Sequence, residues 1–102
     1  MEISTRLIEN KAEILIIGVM NDYTEYLDMK NIIKSKIASD LGLVFYFVNS
    51  NSISSYILGY ILKLKDIDKR NIDIIVSNAK LYNFLHSIDF DNFFDIKIKE
   101  YE

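Results

Sequence analysis

The chain has 102 residues, half of them hydrophobic and 26% charged, with a net charge of −3. This composition suits one compact domain with a core, and it excludes a disordered chain. There is no cysteine, so disulfide frameworks, thiolate zinc clusters and thiol nucleophiles are excluded together. No Lys/Arg stripe stands out, which argues against a nucleic-acid partner.

The opening segment, Met1 to Arg6, lacks a charged region leading into an apolar one. No apolar run approaches the roughly 18–20 residues that cross a bilayer. The expectation is a cytoplasmic protein with no membrane insertion.

With no proline and three glycines, turns fall to Asn, Asp, Ser and Gly. Ile3 to Ile8 alternates loosely, and Asn10-Lys11 reads as a hairpin turn. Glu13 to Met20 is a nearly continuous β-branched run, which predicts a central strand buried on both faces. Asp22 or Thr24 then caps a helix from about Glu25 to Ser39, with Tyr26, Met29, Ile33 and Ile37 at helical spacing. Gly42 supplies the permissive backbone that ends it.

Leu43 to Val48 is a second continuous apolar run and a second central strand. A polar segment follows from Asn49 to Ser55. Ile57, Leu58, Ile61, Leu62 and Leu64 then mark an amphipathic helix, with Ile57, Leu58 and Ile61 facing the sheet. Lys69-Arg70 reads as solvated surface. Ile72 to Val76 is a third central strand. Ser77-Asn78 caps a helix with Leu81, Phe84, Leu85 and Ile88 on one face. A last strand runs from about Phe93 to Ile98.

The order is β-β-α-β-α-β-α-β. Strands alternating with helices predict an α/β fold, a sheet with helices packed on it. The first hairpin makes that sheet mixed, and crossovers between parallel strands are right-handed.

These segments resemble the STAS domain family, the fold of the bacterial anti-sigma factor antagonists. Gly18 to Thr24 is similar to the family's Gly-x-hydrophobic-Asp-x-x-Thr segment, with Asn21 in place of Asp. Leu43 to Val48, the polar loop and Ile57-Leu58-Gly59 resemble the strand and the Asp-Ser-Ser-Gly-Leu-Gly loop that opens the second helix. Ala79 to Ile96 resembles the third helix and last strand, with Asp89 where many members have Gly. The resemblance covers nearly the whole chain and rests on the order and spacing of segments. Many members carry a further C-terminal helix, for which there is no room before Glu102.

The resemblance implies a regulatory module that binds a protein partner, such as a GHKL-type anti-sigma kinase, and performs no catalysis. In the family the second serine of the loop is phosphorylated by that kinase. Aligned without gaps, its position is Tyr56. Shifted by one residue, the two serines become Ser54 and Ser55. The resemblance therefore implies either a phosphoacceptor at Ser55 or Ser54, or a lost switch and a constitutive module of the transporter-associated or scaffold kind. The implied partner surface comprises Asn21, Asp22, Asn49, Ser50, Asn51, Ser52, Ile53 and Tyr56.

Serine is also a favoured helix cap worth about 1 kcal/mol, so Ser54 and Ser55 carry a structural reading beside the functional one. Tyr56 and Tyr60, one turn apart, are either the edge of the core or aromatic anchors for a partner. His86 is the only histidine and has no Ser, Cys or second His at ligand spacing. Asp89, Asp91 and Asp95 lack the Gly and terminal Glu of a calcium loop and read as turn residues. Gly18 lacks the further glycines of a dinucleotide fingerprint. No catalytic residue, metal or cofactor is expected, and an enzyme of small α/β type ranks last.

Overall fold

The computed structural model describes residues 2–18 and 23–101. Strands β1 (Glu2–Ile8) and β2 (Lys11–Ile17) form an antiparallel hairpin. Helix α1 (Tyr23–Lys36) leads to β3 (Gly42–Val48), α2 (Ser55–Asp66) to β4 (Ile72–Val76), and α3 (Ala79–Ser87) to β5 (Asp95–Ile98). The five strands form one sheet in chain order, with β2 to β5 parallel. The described residues thus form an α/β fold with a mixed sheet and three α-helices. The three apolar runs are its three interior strands, as their composition predicts.

The register sorts the sheet into two faces. Ala12, Leu43 and Ile72 lie abreast, as do Ile14, Phe45 and Ile74, and then Ile16, Phe47 and Val76. All nine are buried and belong to one core cluster with Met29 and Ile33 of α1, Ile57 and Ile61 of α2, and Leu81 and Leu85 of α3. Strands laid down in sequence with right-handed crossovers put every helix on the same side. The expectation that Glu13 to Met20 is buried on both faces is therefore corrected in part: Glu13, Ile14 and Ile16 are buried, Leu15 and Ile17 are half-buried, and Val19 and Met20 lie outside the described residues.

The second face carries Lys11, Glu13 and Leu15 of β2, Val44 and Tyr46 of β3, and Asp73 and Ile75 of β4. It is dressed by its own side chains and by the tail after β5. Arg6 Nε donates to Glu13 Oε1 at 3.0 Å, which accompanies the deep burial of Glu13. Lys11 Nζ donates to Asp73 Oδ2 at 2.7 Å, and this contact holds the Lys11 ammonium above its ordinary range. The Tyr46 hydroxyl donates to the Lys99 carbonyl at 2.7 Å, and its ring meets Tyr101 edge-on with centroids 5.9 Å apart.

Other boundaries differ from expectation for identifiable reasons. The hairpin turns at Glu9-Asn10, with Glu9 left-handed at φ 56°. Thr24 lies inside α1, and that helix ends at Lys36. Gly42 begins β3 and does not cap the helix. The loop after α1 is held by Arg70, whose Nη2 donates to the carbonyls of Ala38 at 2.9 Å and Leu41 at 2.8 Å. Arg70 is thus a clasp between α1 and the β4 approach, and its solvated reading is corrected.

In α2 the buried residues are Ile57, Tyr60, Ile61 and Leu64, while Leu58 is half-buried. Truncating Leu58 therefore costs less than the about 2–5 kcal/mol of a fully buried leucine. Ile88 lies beyond α3 and is exposed. Phe90 and Phe94 pack tilted, with centroids 4.9 Å apart, and delay the last strand to Asp95.

Among the described residues no helix is long and apolar enough to cross a membrane.

Candidate functional site

The loops at the C-terminal ends of β2, β3 and β4 meet at one end of the sheet, where α/β proteins characteristically place their working residues. Short polar contacts knit them together. Gly18 takes φ 96° and its N–H donates to Val48 O at 2.8 Å. Asn49 is left-handed at φ 60°, a conformation asparagine tolerates, and its N–H donates to Ser77 Oγ at 3.1 Å.

Ser50 Oγ donates to the Gly18 carbonyl, and the Ser50 carbonyl accepts from Asn78 Nδ2 at 3.1 Å. Asn78 also caps α3, its Oδ1 accepting from Leu81 N at 2.8 Å. Asn78 was legible as a cap; its second task of fixing the β3 loop was not.

This scaffold divides the sequence-predicted surface in two. Ser50 and Ile53 are buried and are corrected from partner-facing residues to loop anchors. Ser50 turns inward because its hydroxyl satisfies a buried-side carbonyl. Ile53 turns inward because it lines a small apolar space with Ile16, Phe47 and Ile57. Asn49, Asn51, Ser52, Ser55 and Tyr56 are exposed on the outside of the same loop and the first turn of α2. Asn21 and Asp22 lie outside the described residues.

Ser54 occupies the cap position of α2 with extended backbone (φ −65°, ψ 153°), and its carbonyl accepts from the N–H groups of Ile57 and Leu58, each at 3.1 Å. Its side chain makes no capping hydrogen bond, so the expected structural role of that hydroxyl is not filled. Ser55 is the first helical residue, and the first turn holds no acidic side chain. The N–H groups of Ser55 and Tyr56 precede the first possible intrahelical acceptor. Together with the positive end of the helix they favour an anion at Ser54 or Ser55.

Beside this turn stands an aromatic ladder. Tyr23 meets Tyr56 edge-on at 5.1 Å, Tyr56 stacks on Tyr26 at 5.9 Å, and Tyr26 meets Tyr60 edge-on at 5.9 Å. The two ends of the ladder differ. Tyr23 and Tyr56 are 52% and 53% exposed, while Tyr60 is 4% exposed. Burial pushes the Tyr60 phenol up to about 12, with Tyr26 adding to the shift. Lys30 places its ammonium 5.9 Å from the Tyr60 ring centre and 6.0 Å from that of Tyr26, within cation–π range. Tyr60 thus belongs to the core and Tyr56 to the surface. Sequence reasoning did not connect Tyr23 and Tyr26 with them; the available signal was two tyrosine pairs, each about one helical turn apart.

His86 lies apart from this end of the sheet contacts. Its Nδ1 is 2.6 Å from Asp91 Oδ2, and the carboxylate raises the imidazole above its ordinary value. Asp91 is therefore a partner of His86 as well as a turn residue. Among the described residues no three His, Asp or Glu side chains gather to hold a metal. On the open sheet face, Ser4, Arg6, Glu13, Tyr46, Lys99 and Tyr101 line a wide concavity, in which the Glu13 carboxylate is engaged by Arg6.

No protein-family model, curated protein or solved structure matches the chain.

Proposed function

We propose that the chain is a STAS-like regulatory module that binds a protein partner through the Asn49–Tyr56 segment and Tyr23, without catalysis of its own. The observation that carries this reading is the exposed Ser55-Tyr56 pair in the first turn of α2, beside the equally exposed Tyr23. Half-exposed tyrosines held by stacking lose little entropy on binding and are favoured anchors at interfaces.

The element order supports the resemblance to anti-sigma factor antagonists. So does Asp89, which takes a left-handed backbone at φ 62° where many members of that family have glycine. The partner proposed is a protein such as a GHKL-type anti-sigma kinase.

In this reading, phosphorylation of Ser55 or Ser54 is the switch. The phosphate adds about −1.5 to −2 charge at neutral pH. Held at the start of α2, it leaves the domain folded, but a partner covering that turn must pair or desolvate it. The unspent Ser54 hydroxyl and the exposure of Ser55 favour this reading. Tyr56, standing where the ungapped alignment puts the family's phosphoserine, favours the alternative of a constitutive, unmodified module.

The test is incubation with a GHKL-type kinase from the same cell and ATP, followed by mass spectrometry and binding measurements. The switch reading expects phosphate on Ser55 or Ser54. It also expects Ser55→Asp to weaken binding with an unchanged melting temperature, and Ser55→Ala to bind normally. Absence of phosphate together with normal binding by Ser54→Asp and Ser55→Asp leaves the constitutive module. Under either reading Tyr56→Ala weakens binding by about 2 kcal/mol or more if Tyr56 is an anchor; unchanged binding would remove this surface from the proposal.

A further inference from the structure

The two edges of the sheet are unlike. β5 is four residues long and carries Asp95 and Lys97, and a short, charged strand resists pairing with another chain. β1 is seven residues long and pairs one-to-one with β2 from Glu2 to Ile8, with no bulge. Its defences as an edge are weaker. The strand has no proline and no bulge, and its two charged residues, Glu2 and Arg6, both lie on the open face, where Arg6 binds Glu13 through Nε and leaves its side chain 70% exposed.

The hairpin fixes which backbone groups of β1 face outward. Ile8 and Lys11 close a two-residue loop, so they form a hydrogen-bonded pair, and the pairs alternate from there. Ile3, Thr5 and Leu7 consequently turn their N–H and C=O groups away from β2. The same residues share the helix-bearing face of the sheet, opposite Ile16, Ile14 and Ala12.

Their sequence is self-complementary when read antiparallel about Thr5. Ile3 then faces Leu7 of a second copy and Thr5 faces itself, with all three outward positions in hydrogen-bonded pairs. Leu7 is 71% exposed, a large apolar side chain with nothing over it at the sheet edge. Ile3 and Ile32 form the apolar part of an open groove that Asp28 and Asn31 of α1 also line, on the side where the second copy's Leu7 arrives. On the other face, Glu2 of one copy lies diagonal to Arg6 of the second, within reach of a cross-strand charge contact.

We propose that two copies of this chain pair β1 to β1, antiparallel about a two-fold axis at Thr5, and join their sheets into one. The knob at Leu7, the groove at Ile3 and the diagonal charges commit this edge to a second copy. The contact is made by β1 and the groove it forms with α1 and uses neither Ser55 nor Tyr56 of α2, so its test is separate from that of the partner reading.

Sedimentation equilibrium of the chain up to about 100 μM, a range suited to a small interface, is expected to give twice its 11.9 kDa mass. Leu7→Lys is expected to give a monomer with an unchanged circular dichroism spectrum and melting temperature. Because the chain has no cysteine, Thr5→Cys reports the register: hydrogen-bonded pairs place Cα atoms about 5.5 Å apart, within disulfide range. Mild oxidation is expected to cross-link Thr5→Cys and to spare Ser4→Cys. A wild-type monomer throughout the range overturns the proposal and leaves β1 to a strand from another protein. A dimer that survives Leu7→Lys, or one that cross-links through Ser4→Cys instead, overturns it as well.

Discussion

The two faces of the sheet are built from the same three strands but held by different physics. The helix-bearing face is a dry layer in which Ile14, Phe45 and Ile74 lie abreast and fully buried under the helices. The opposite face mixes Glu13, Tyr46 and Asp73 with apolar residues, and hydrogen bonds and ion pairs there join the ring contact of Tyr46 with Tyr101. Burial of apolar area dominates the first, at about 25 cal/mol per Å². Individual polar contacts on the second contribute on the order of 1 kcal/mol each. Neighbouring residues of one strand therefore differ several-fold in what they contribute, and the difference is set by which way they point.

Three measurements break or sharpen this contrast. Phe45→Ala, on the dry face, is expected to cost about 3–5 kcal/mol in urea unfolding, because the ring's contacts are lost and a cavity remains. Its neighbour Tyr46→Phe keeps the ring against Tyr101 and deletes only the hydrogen bond to Lys99; the same assay is expected to show a loss of about 1 kcal/mol. Equal losses for the two would mean that the open face is a second core.

The smallest effect belongs to a site outside both layers. The His86 imidazole, raised by Asp91, is expected to titrate by NMR with a midpoint above 6.5, and Asp91→Asn is expected to return it toward that value. The sign follows from the raised native pKa. The contribution is fully present below about pH 6.5, the ordinary value, and is lost as pH rises through the native midpoint. A His86 midpoint unmoved by Asp91→Asn would show that the contact is absent in solution.

Much of the fold is legible in the sequence, because buried parallel strands are written as apolar runs. Ile72 to Val76 matches β4 end for end. The one-sided placement of the helices is not legible there, since Val44, Tyr46 and Ile75 are apolar enough to continue the run on the open face. The role of Arg70 is not legible either, because a guanidinium that binds backbone carbonyls leaves no pattern in its neighbours. The candidate site was half legible. Its loop was found from its polarity, but polarity does not tell that Ser50 turns inward to a carbonyl while Ser52 turns outward. The tyrosine ladder was hidden because its halves are brought together only by the packing of α1 beside α2.

The identity of sheet order and chain order has a consequence in time. No strand has to insert between two that are already placed. Once the β1–β2 hairpin has closed, each helix-and-strand unit can dock on the edge left by the one before it, so no closure need span more than one helical crossover and its entropy cost is modest. Contacts of modest sequence separation favour rapid folding for a parallel sheet, and they allow assembly to follow the chain as it emerges from the ribosome. During that growth the β5 side of the sheet is rebuilt with each unit, whereas the outer edge of β1 is complete from the first step.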